Sequence, residues 1–301
     1  PRDPQAFANA IQDNTRLVFG ETLGNPSLDV LNIPAIAEVA HAAGLPLMVD
    51  STTTTPYLIK PFELGADIIQ HSATKFLSGH GIVIGGLLVD SGQFDWEASG
   101  KFPTLSEPYA GFHNLIFTEE FGPAAMIQRA RKEGLRDFGA CMAPTSAFHI
   151  LQGIETLSVR MARHVENTRA ITAFLLEQEQ VTRVGYPELD GHPDQALAAE
   201  LLPNGCGAVF SFDLAGGRAA GIAFVDALSV FSHLANIGDA KSLIIHPAST
   251  THHRMDAAAL AAGGIGEGTI RLSIGLEDPK DLKADLKQGL RAAGKAAGGG
   301  R

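Results

Sequence analysis

One lysine stands out in this sequence for its setting. Lys75 lies in His71-Ser72-Ala73-Thr74-Lys75-Phe76-Leu77-Ser78-Gly79-His80, after an apolar strand-like run and before glycines, with hydroxyl residues around it. Only a neutral amine attacks a carbonyl, so a lysine that captures an aldehyde must be reachable yet partly withdrawn from water. Ser72 and Thr74 could donate hydrogen bonds to the oxygens of a phosphate on the same molecule. The competing reading is a solvated surface lysine, the usual state of that residue. The preceding strand and the following glycines argue against it.

Two further residues suit the same chemistry. Asp50 ends Leu45-Pro46-Leu47-Met48-Val49-Asp50, where a carboxylate could keep a pyridine nitrogen protonated and so make its ring an electron sink. The alternative is a strand-end aspartate that caps the next turn. Arg271 stands in Thr269-Ile270-Arg271-Leu272-Ser273-Ile274 among apolar neighbours, so it must reach water or an anion. Its planar fork suits a substrate carboxylate, and a structural salt bridge is the alternative. The cofactor suggested is pyridoxal 5′-phosphate. No metal is expected: His246, His252 and His253 have no cysteine or carboxylate partner at ligand spacing. His71 and His80 read as structural hydrogen-bonders. Gly263-Gly264-Ile265-Gly266 reads as a flexible turn and not a phosphate loop, because no strand leads directly into it.

The elements that must carry these residues alternate. Helical character is expected over 4–12 and 33–43, the latter with Ile33, Ile36, Val39 and Ala40 as its apolar stripe and Gly44 as its stop. Short strands are expected over 17–21, 45–49, 68–69 and 86–89. Strands alternating with helices imply a mainly parallel sheet covered on both faces, with functional groups at the C-terminal strand ends. Asp50 and Lys75 both fall there. Residues 91–140 carry Phe94, Trp96, Phe102, Tyr109, Phe112, Phe117 and Phe121 among glycines and prolines. They read either as an excursion that covers a site or a subunit contact, or as a self-packed surface loop. One long, kinked helix is expected over 145–177, capped by Thr145 or Ser146 and linking two domains. Beyond it the pattern is α+β: strands over 208–214 and 269–274, helices over 219–228 and 279–293. The expected division is a cofactor-binding large domain over 1–160 and a smaller domain over 161–301.

The bulk properties agree with a globular enzyme. The chain has 301 residues, 45% hydrophobic and 19% charged, too apolar for a disordered chain. A formal net charge of −10 argues against a general nucleic-acid binder. No apolar run is long enough for a membrane span. Two cysteines, Cys141 and Cys206, are too few for a disulfide framework and read as free thiols of a cytoplasmic protein. Pro1-Arg2-Asp3-Pro4 looks like the middle of a domain, and the C-terminal Ala-Ala-Gly-Gly-Gly-Arg reads as a frayed tail.

Taken together, the motifs resemble the Cys/Met-metabolism family of PLP-dependent enzymes. The matching pieces run in family order: Glu21-Thr22-Leu23-Gly24-Asn25-Pro26, Val49-Asp50-Ser51-Thr52, Thr55-Pro56-Tyr57, Ser72-Ala73-Thr74-Lys75, His246-Pro247-Ala248-Ser249 and Arg271-Leu272-Ser273-Ile274-Gly275-Leu276-Glu277. The segment from Leu234 to Leu243 and the aromatic insertion after Val89 are similar to the O-acetylhomoserine sulfhydrylase branch. The resemblance implies an α/β, aspartate aminotransferase-like (type I) fold with a mainly parallel sheet domain and a smaller α+β C-terminal domain. It implies γ-replacement on O-acetyl-L-homoserine with sulfide or a thiol. Lys75 would hold the cofactor covalently and shuttle protons, Asp50 would pair with its ring nitrogen, and Asn25 would contact its phenolic oxygen. Ser72 and Thr74 would hold the phosphate. Arg271 would take the substrate carboxylate, with Asn236 close by.

The family also supplies a glycine-rich phosphate loop, a ring-stacking tyrosine and a Tyr/Arg pair that reaches the neighbouring subunit. None of these can be assigned here, and the expectation is that roughly the first third of the family fold is absent from this chain. A γ-lyase, a cystathionine γ-synthase and a catalytically inactive fragment stay open as alternatives. A homo-oligomer, dimer or tetramer, is expected.

Overall fold

The computed structural model describes residues 2–25 and 28–298; Pro26 of the first motif, Pro1 and the last three residues of the C-terminal tail lie outside them. Helix α1 (Pro4–Ala10) starts on an Asp3 cap. It leads to β1 (Val18–Glu21), α2 (Ile33–Ala42) and β2 (Leu47–Asp50). The Asn32 side chain caps α2 by accepting from Ala35 N, and Ile33, Ile36, Ala37 and Ala40 bury one face of the helix. A short α3 (Thr55–Leu58) precedes β3 (Ile68–Ser72), and β4 (Gly86–Asp90) completes the first sheet. Its order is β1-β2-β3-β4, with the first three strands parallel and β4 antiparallel to β3. The two central strands carry most of this sheet's buried residues, Leu47 and Val49 of β2 and Ile68, Ile69 and His71 of β3.

The aromatic segment after β4 folds on itself. It forms the short helices α4 (Pro103–Ser106), α5 (Phe117–Phe121) and α6 (Ala125–Arg129). Trp96, Phe102, Leu105 and Phe117 make a separate small core with Ile68 of β3, and Met48 of β2 packs against it. Phe94, Trp96 and Phe102 meet edge to face at centroid distances of 4.8 to 5.8 Å. The segment is thus a self-packed cover resting on one face of the first sheet.

The long helix expected over 145–177 is corrected to two. Helix α7 (Pro144–Glu155) and α8 (Leu157–Leu176) meet at Thr156, whose φ of −105° and ψ of 6° leave the helix. Thr156 Oγ1 donates to the Gly153 carbonyl, which holds the break. The expected Thr145 or Ser146 cap is also corrected. Ala143 precedes the helix in extended conformation and Pro144 opens it, because proline brings its own helical φ and has no N–H to satisfy. Residue 160, the expected domain boundary, lies in the first turns of α8.

The remainder adds β5 (Val181–Gly185), α9 (Gln195–Leu201), β6 (Val209–Leu214), α10 (Gly217–Asp226), β7 (Ser232–His233), β8 (Leu243–Ile245), α11 (Ala257–Ala262), β9 (Thr269–Ser273) and α12 (Pro279–Gly298). The second sheet has the order β5-β6-β9-β8-β7 and is antiparallel except for the β7/β8 pair. Sequence reading missed β5, β7, β8, α9 and α11, which are short and lack a full period of patterning. One hydrophobic core runs from Val18 through α8 to Ala293 and joins both sheets. No helix among the described residues is long and apolar enough to cross a membrane.

Candidate active site

The C-terminal ends of β1, β2 and β3 bring three polar residues level. Glu21 is paired in register with Asp50, and Asp50 with Gln70. The Asp50 carboxylate is held from two sides: Thr52 N donates to one oxygen at 2.8 Å and Gln70 Nε2 to the other at 3.2 Å. Asp50 thus caps the next turn, the alternative raised from the sequence, and also lines a cavity. That cavity, of about 170 Å³, is lined by Asn25, Asp50, Ser72 and Lys75, with Glu21 and Thr52 beside them.

Strand β3 ends at Ser72 and enters a single wide helical turn, Ala73–Leu77, that presents Lys75. Lys75 breaks from helical geometry inside it, at φ −94° and ψ −130°. Its Nζ donates to Asn236 Oδ1, a residue 161 positions away. Burial, and then the nearby Arg271 charge, lower the pKa of this amine from its ordinary value. Burial alone lowers that of Arg271. Arg271 Nη2 donates to the Asn236 carbonyl at 3.3 Å and Nη1 reaches Asn25 Oδ1 at 3.5 Å. Among the described residues it forms no ion pair, so the salt-bridge alternative for Arg271 is not what this structure contains.

Four of the seven residues singled out in the sequence line this cavity, Asn25, Asp50, Ser72 and Lys75, and Asn236 and Arg271 join them through hydrogen bonds to Lys75 and Asn25. Thr74 diverges. Its Oγ1 donates to the Gly85 carbonyl at 3.2 Å and accepts from Gly85 N at 3.1 Å, and it lines a neighbouring cavity with Ile82, Ile84 and Asn236. Ser72 lines the Lys75 cavity, and its backbone N donates to Thr52 Oγ1 at 2.8 Å. Sequence reasoning missed Thr52, Gln70 and Glu21 as site residues. Thr52 follows Asp50 in a motif already quoted, and Gln70 stands two residues before Ser72 on β3; a strand-register argument would have found both. Burial and the neighbouring Asp50 raise the pKa of Glu21.

Behind Asp50, Thr22 Oγ1, Thr54 Oγ1 and Ser51 Oγ form a buried hydroxyl chain with separations of 2.9 and 2.8 Å. His71 Nδ1 donates to the Ser51 carbonyl at 3.1 Å, and His80 Nδ1 to the Ser78 carbonyl at 2.6 Å, the structural roles expected of both. His246 is likewise engaged, with Ser249 Oγ and the Glu267 carbonyl.

The family described as Cys/Met metabolism PLP-dependent enzyme matches residues 1–291. A homocysteine synthase from Schizosaccharomyces pombe is 46% identical over 293 residues, covering 97% of this chain and 68% of its own length. An O-acetyl-L-homoserine sulfhydrylase from Leptospira meyeri is 44% identical over 96% of this chain and 67% of its own. The chain thus spans about two thirds of the length of these relatives. Among solved structures, a Campylobacter jejuni protein described as an O-acetylhomoserine (thiol)-lyase superposes with a TM-score of 0.91 at 35% identity, over 96% of this chain and 69% of that one. That crystal structure carries N'-pyridoxyl-lysine-5'-monophosphate. A cystathionine γ-lyase from Lactobacillus plantarum superposes at 0.79 and 33% identity, over 97% of this chain and 68% of that one.

Proposed function

The chain belongs to the Cys/Met metabolism PLP-dependent enzyme family, and on that premise we propose that it catalyses γ-replacement: O-acetyl-L-homoserine and sulfide, or a thiol such as methanethiol, give L-homocysteine or methionine and acetic acid. The observation that carries this reading is that a lysine amine made less basic by burial and a strand-end aspartate line one cavity, while an arginine with no ion pair among the described residues is tied to them through Asn236 and Asn25. The relatives named as sulfhydrylases and homocysteine synthase support the substrate class.

The residues present fit pyridoxal 5′-phosphate. Lys75 offers an amine made less basic by burial, Asp50 an oriented carboxylate for a protonated ring nitrogen, and Ser72 a hydroxyl-bearing residue in the cavity lining. When bound, the cofactor supplies the electron withdrawal that makes carbon–hydrogen bonds beside the substrate amine acidic. The chain does the rest. The Arg271 guanidinium binds the substrate carboxylate through its fork. The Asn236 amide, bonded to Lys75 Nζ through its oxygen and to Arg271 through its backbone carbonyl, keeps amine and guanidinium in fixed relation. Lys75 Nζ takes the proton from substrate Cα and serves as the relay for the proton lost at Cβ. Acetate leaves from Cγ, and the sulfur nucleophile adds there. Proton transfer by a positioned lysine contributes about 10²–10⁴-fold. Thr74 supports Ser72 and Lys75 by tying the turn to Gly85, a role at one remove from the phosphate.

The test is turnover of O-acetylhomoserine with sulfide by the purified chain, compared with methionine alone and with O-succinylhomoserine plus cysteine. Lys75→Ala should abolish the first reaction. Retention of more than a trace, or a preference for either comparison, overturns the assignment. We further propose a cytoplasmic homo-oligomer, in keeping with the free thiols Cys141 and Cys206 and with the apolar surface left exposed around β4.

A further inference from the structure

We infer that one polar stripe of helix α8, made by Arg160, His164 and Asn167, is a brace that sets the position of the Lys75 turn relative to the Arg271 strand. The inference rests on the roles proposed above for Lys75 and Arg271. The three residues stand at i, i+4 and i+7, so they share a helix face, and all are buried. A buried stripe on a helix packed against two sheets is ordinarily apolar, and this one departs from that rule.

Every bond the stripe makes with other elements goes to a backbone carbonyl. Arg160 Nη1 donates to Phe76 O at 2.8 Å, and Nη2 donates to Leu77 O at 3.3 Å and to Gly153 O at 2.6 Å. Phe76 and Leu77 immediately follow Lys75 and end its turn, where carbonyls lack helical partners. His164 Nδ1 donates to Ile274 O at 2.7 Å. Asn167 Nδ2 donates to Gly275 O and Glu277 O, both at 2.9 Å. These three carbonyls belong to the chain that leaves β9, the strand of Arg271. One face of one helix therefore grips the chain just after the lysine and just after the arginine.

The surroundings are shaped for the grip. A side chain at Gly79 would collide with the Arg160 guanidinium, and one at Gly153 with the Leu77 and Ser78 carbonyls. The Phe76 ring meets His164 edge to face at 5.2 Å. A buried guanidinium with no carboxylate is expensive unless its nitrogens find acceptors. Arg160 uses three contacts to hold peptide carbonyls and a fourth, at 3.2 Å, to Thr156 Oγ1, and none of the four goes to an acid. Such a residue positions backbone; it does not neutralise charge.

The two ends of the brace predict different defects. Arg160→Met should lower kcat by about 10²-fold, since a displacement of roughly 1 Å at the reacting amine costs that much. It should also shift the pH midpoint of the bound cofactor's absorbance, with KM for O-acetylhomoserine changed less than about threefold. Asn167→Ala should instead raise that KM about tenfold and leave the absorbance midpoint in place. Arg160→Lys, which keeps the charge but not the fork, should fall between wild type and Arg160→Met and covers the case in which Met does not fold. Borohydride reduction followed by peptide mass mapping reports the Lys75 linkage independently of turnover. Wild type with no cofactor trapped on Lys75 overturns the functional reading and the brace together. Normal trapping in wild type, with Arg160 and Asn167 variants that lose kcat and KM in parallel and keep the wild-type absorbance midpoint, overturns the brace alone.

Discussion

Lys75 and Arg271 are each made less basic by burial, and each bonds a different oxygen of Asn236. The second cause of the Lys75 shift is the Arg271 charge, so the two are electrostatically coupled. Replacing Arg271 by Met removes a cation that favours the neutral amine. The Lys75 pKa should rise, and the rate at which cofactor-free protein captures pyridoxal 5′-phosphate should need higher pH to reach half its maximum; an unmoved profile contradicts the coupling. Asp50→Asn keeps the shape and the Thr52 bond but loses the charge, and should cost about 10²–10³-fold in kcat. Cofactor retention, followed by absorbance after gel filtration, should fall far less. His164 allows a stability prediction with a definite sign. Burial pushes its pKa from 6.5 down to about 4, with Arg160 pushing the same way and Asp239 opposing. Below pH 6.5 the unfolded chain takes up a proton that the native state refuses, so stability is lost as pH falls from about 6.5 to about 4. The loss is on the order of 3 kcal/mol. His164→Gln should flatten urea-midpoint data across that window.

At the scale of elements, the site depends on close approach of backbone to backbone. The segment after β7 lies directly on the lysine turn: Ala240 N donates to Gly79 O at 2.8 Å, and Gly238 N to Ser273 Oγ at 2.9 Å. Gly238 has φ +75°, and a Cβ there would sit 2.8 Å from Phe76 N and 3.0 Å from Lys75 Cβ. Gly238→Ala combines left-handed strain with overlap and should destabilise by about 1–3 kcal/mol while lowering kcat. Gly153→Ala on α7 should behave likewise, because its methyl would drive the helix off the Leu77 and Ser78 carbonyls. Gly134 is the control. A Cβ there meets nothing within 4 Å, so Gly134→Ala should be neutral or gain up to about 1 kcal/mol in thermal unfolding. Equal losses at all three positions would show that glycine as such, and not packing on the lysine turn, matters.

For the molecule as a whole, two sheets share one core through α8 while the first sheet ends on strands with free edges among the described residues. Strand β4 exposes Leu87, Leu88 and Val89, and the loop before it exposes Ile84 at 87%. Unpaired strand edges bearing apolar residues favour association. Sedimentation velocity should show species larger than a monomer at micromolar concentration. Ile84→Lys and Leu88→Lys should shift the distribution toward monomer while leaving stability within about 0.5 kcal/mol, as surface changes do. Sedimentation of these variants indistinguishable from wild type would place the contact elsewhere.

The chemistry-bearing residues were legible because their signals are local. Asp50 at a strand end, Ser72 and Lys75 at the strand-to-turn junction, and Arg271 in an apolar strand can each be read within a ten-residue window. So can the alternation that specifies the first sheet. What a window cannot hold is a partner far along the chain. That Lys75 and Arg271 meet through Asn236, that Gln70 steadies Asp50 from the next strand, and that Thr74 turns to Gly85 depend on strand register and tertiary docking. Arg160, His164 and Asn167 carry no signal of burial in the sequence, because hydrophobic periodicity scores polar residues as outward. Only the folded chain places peptide carbonyls opposite Arg160, His164 Nδ1 and Asn167 Nδ2, the partners that offset burying these donors.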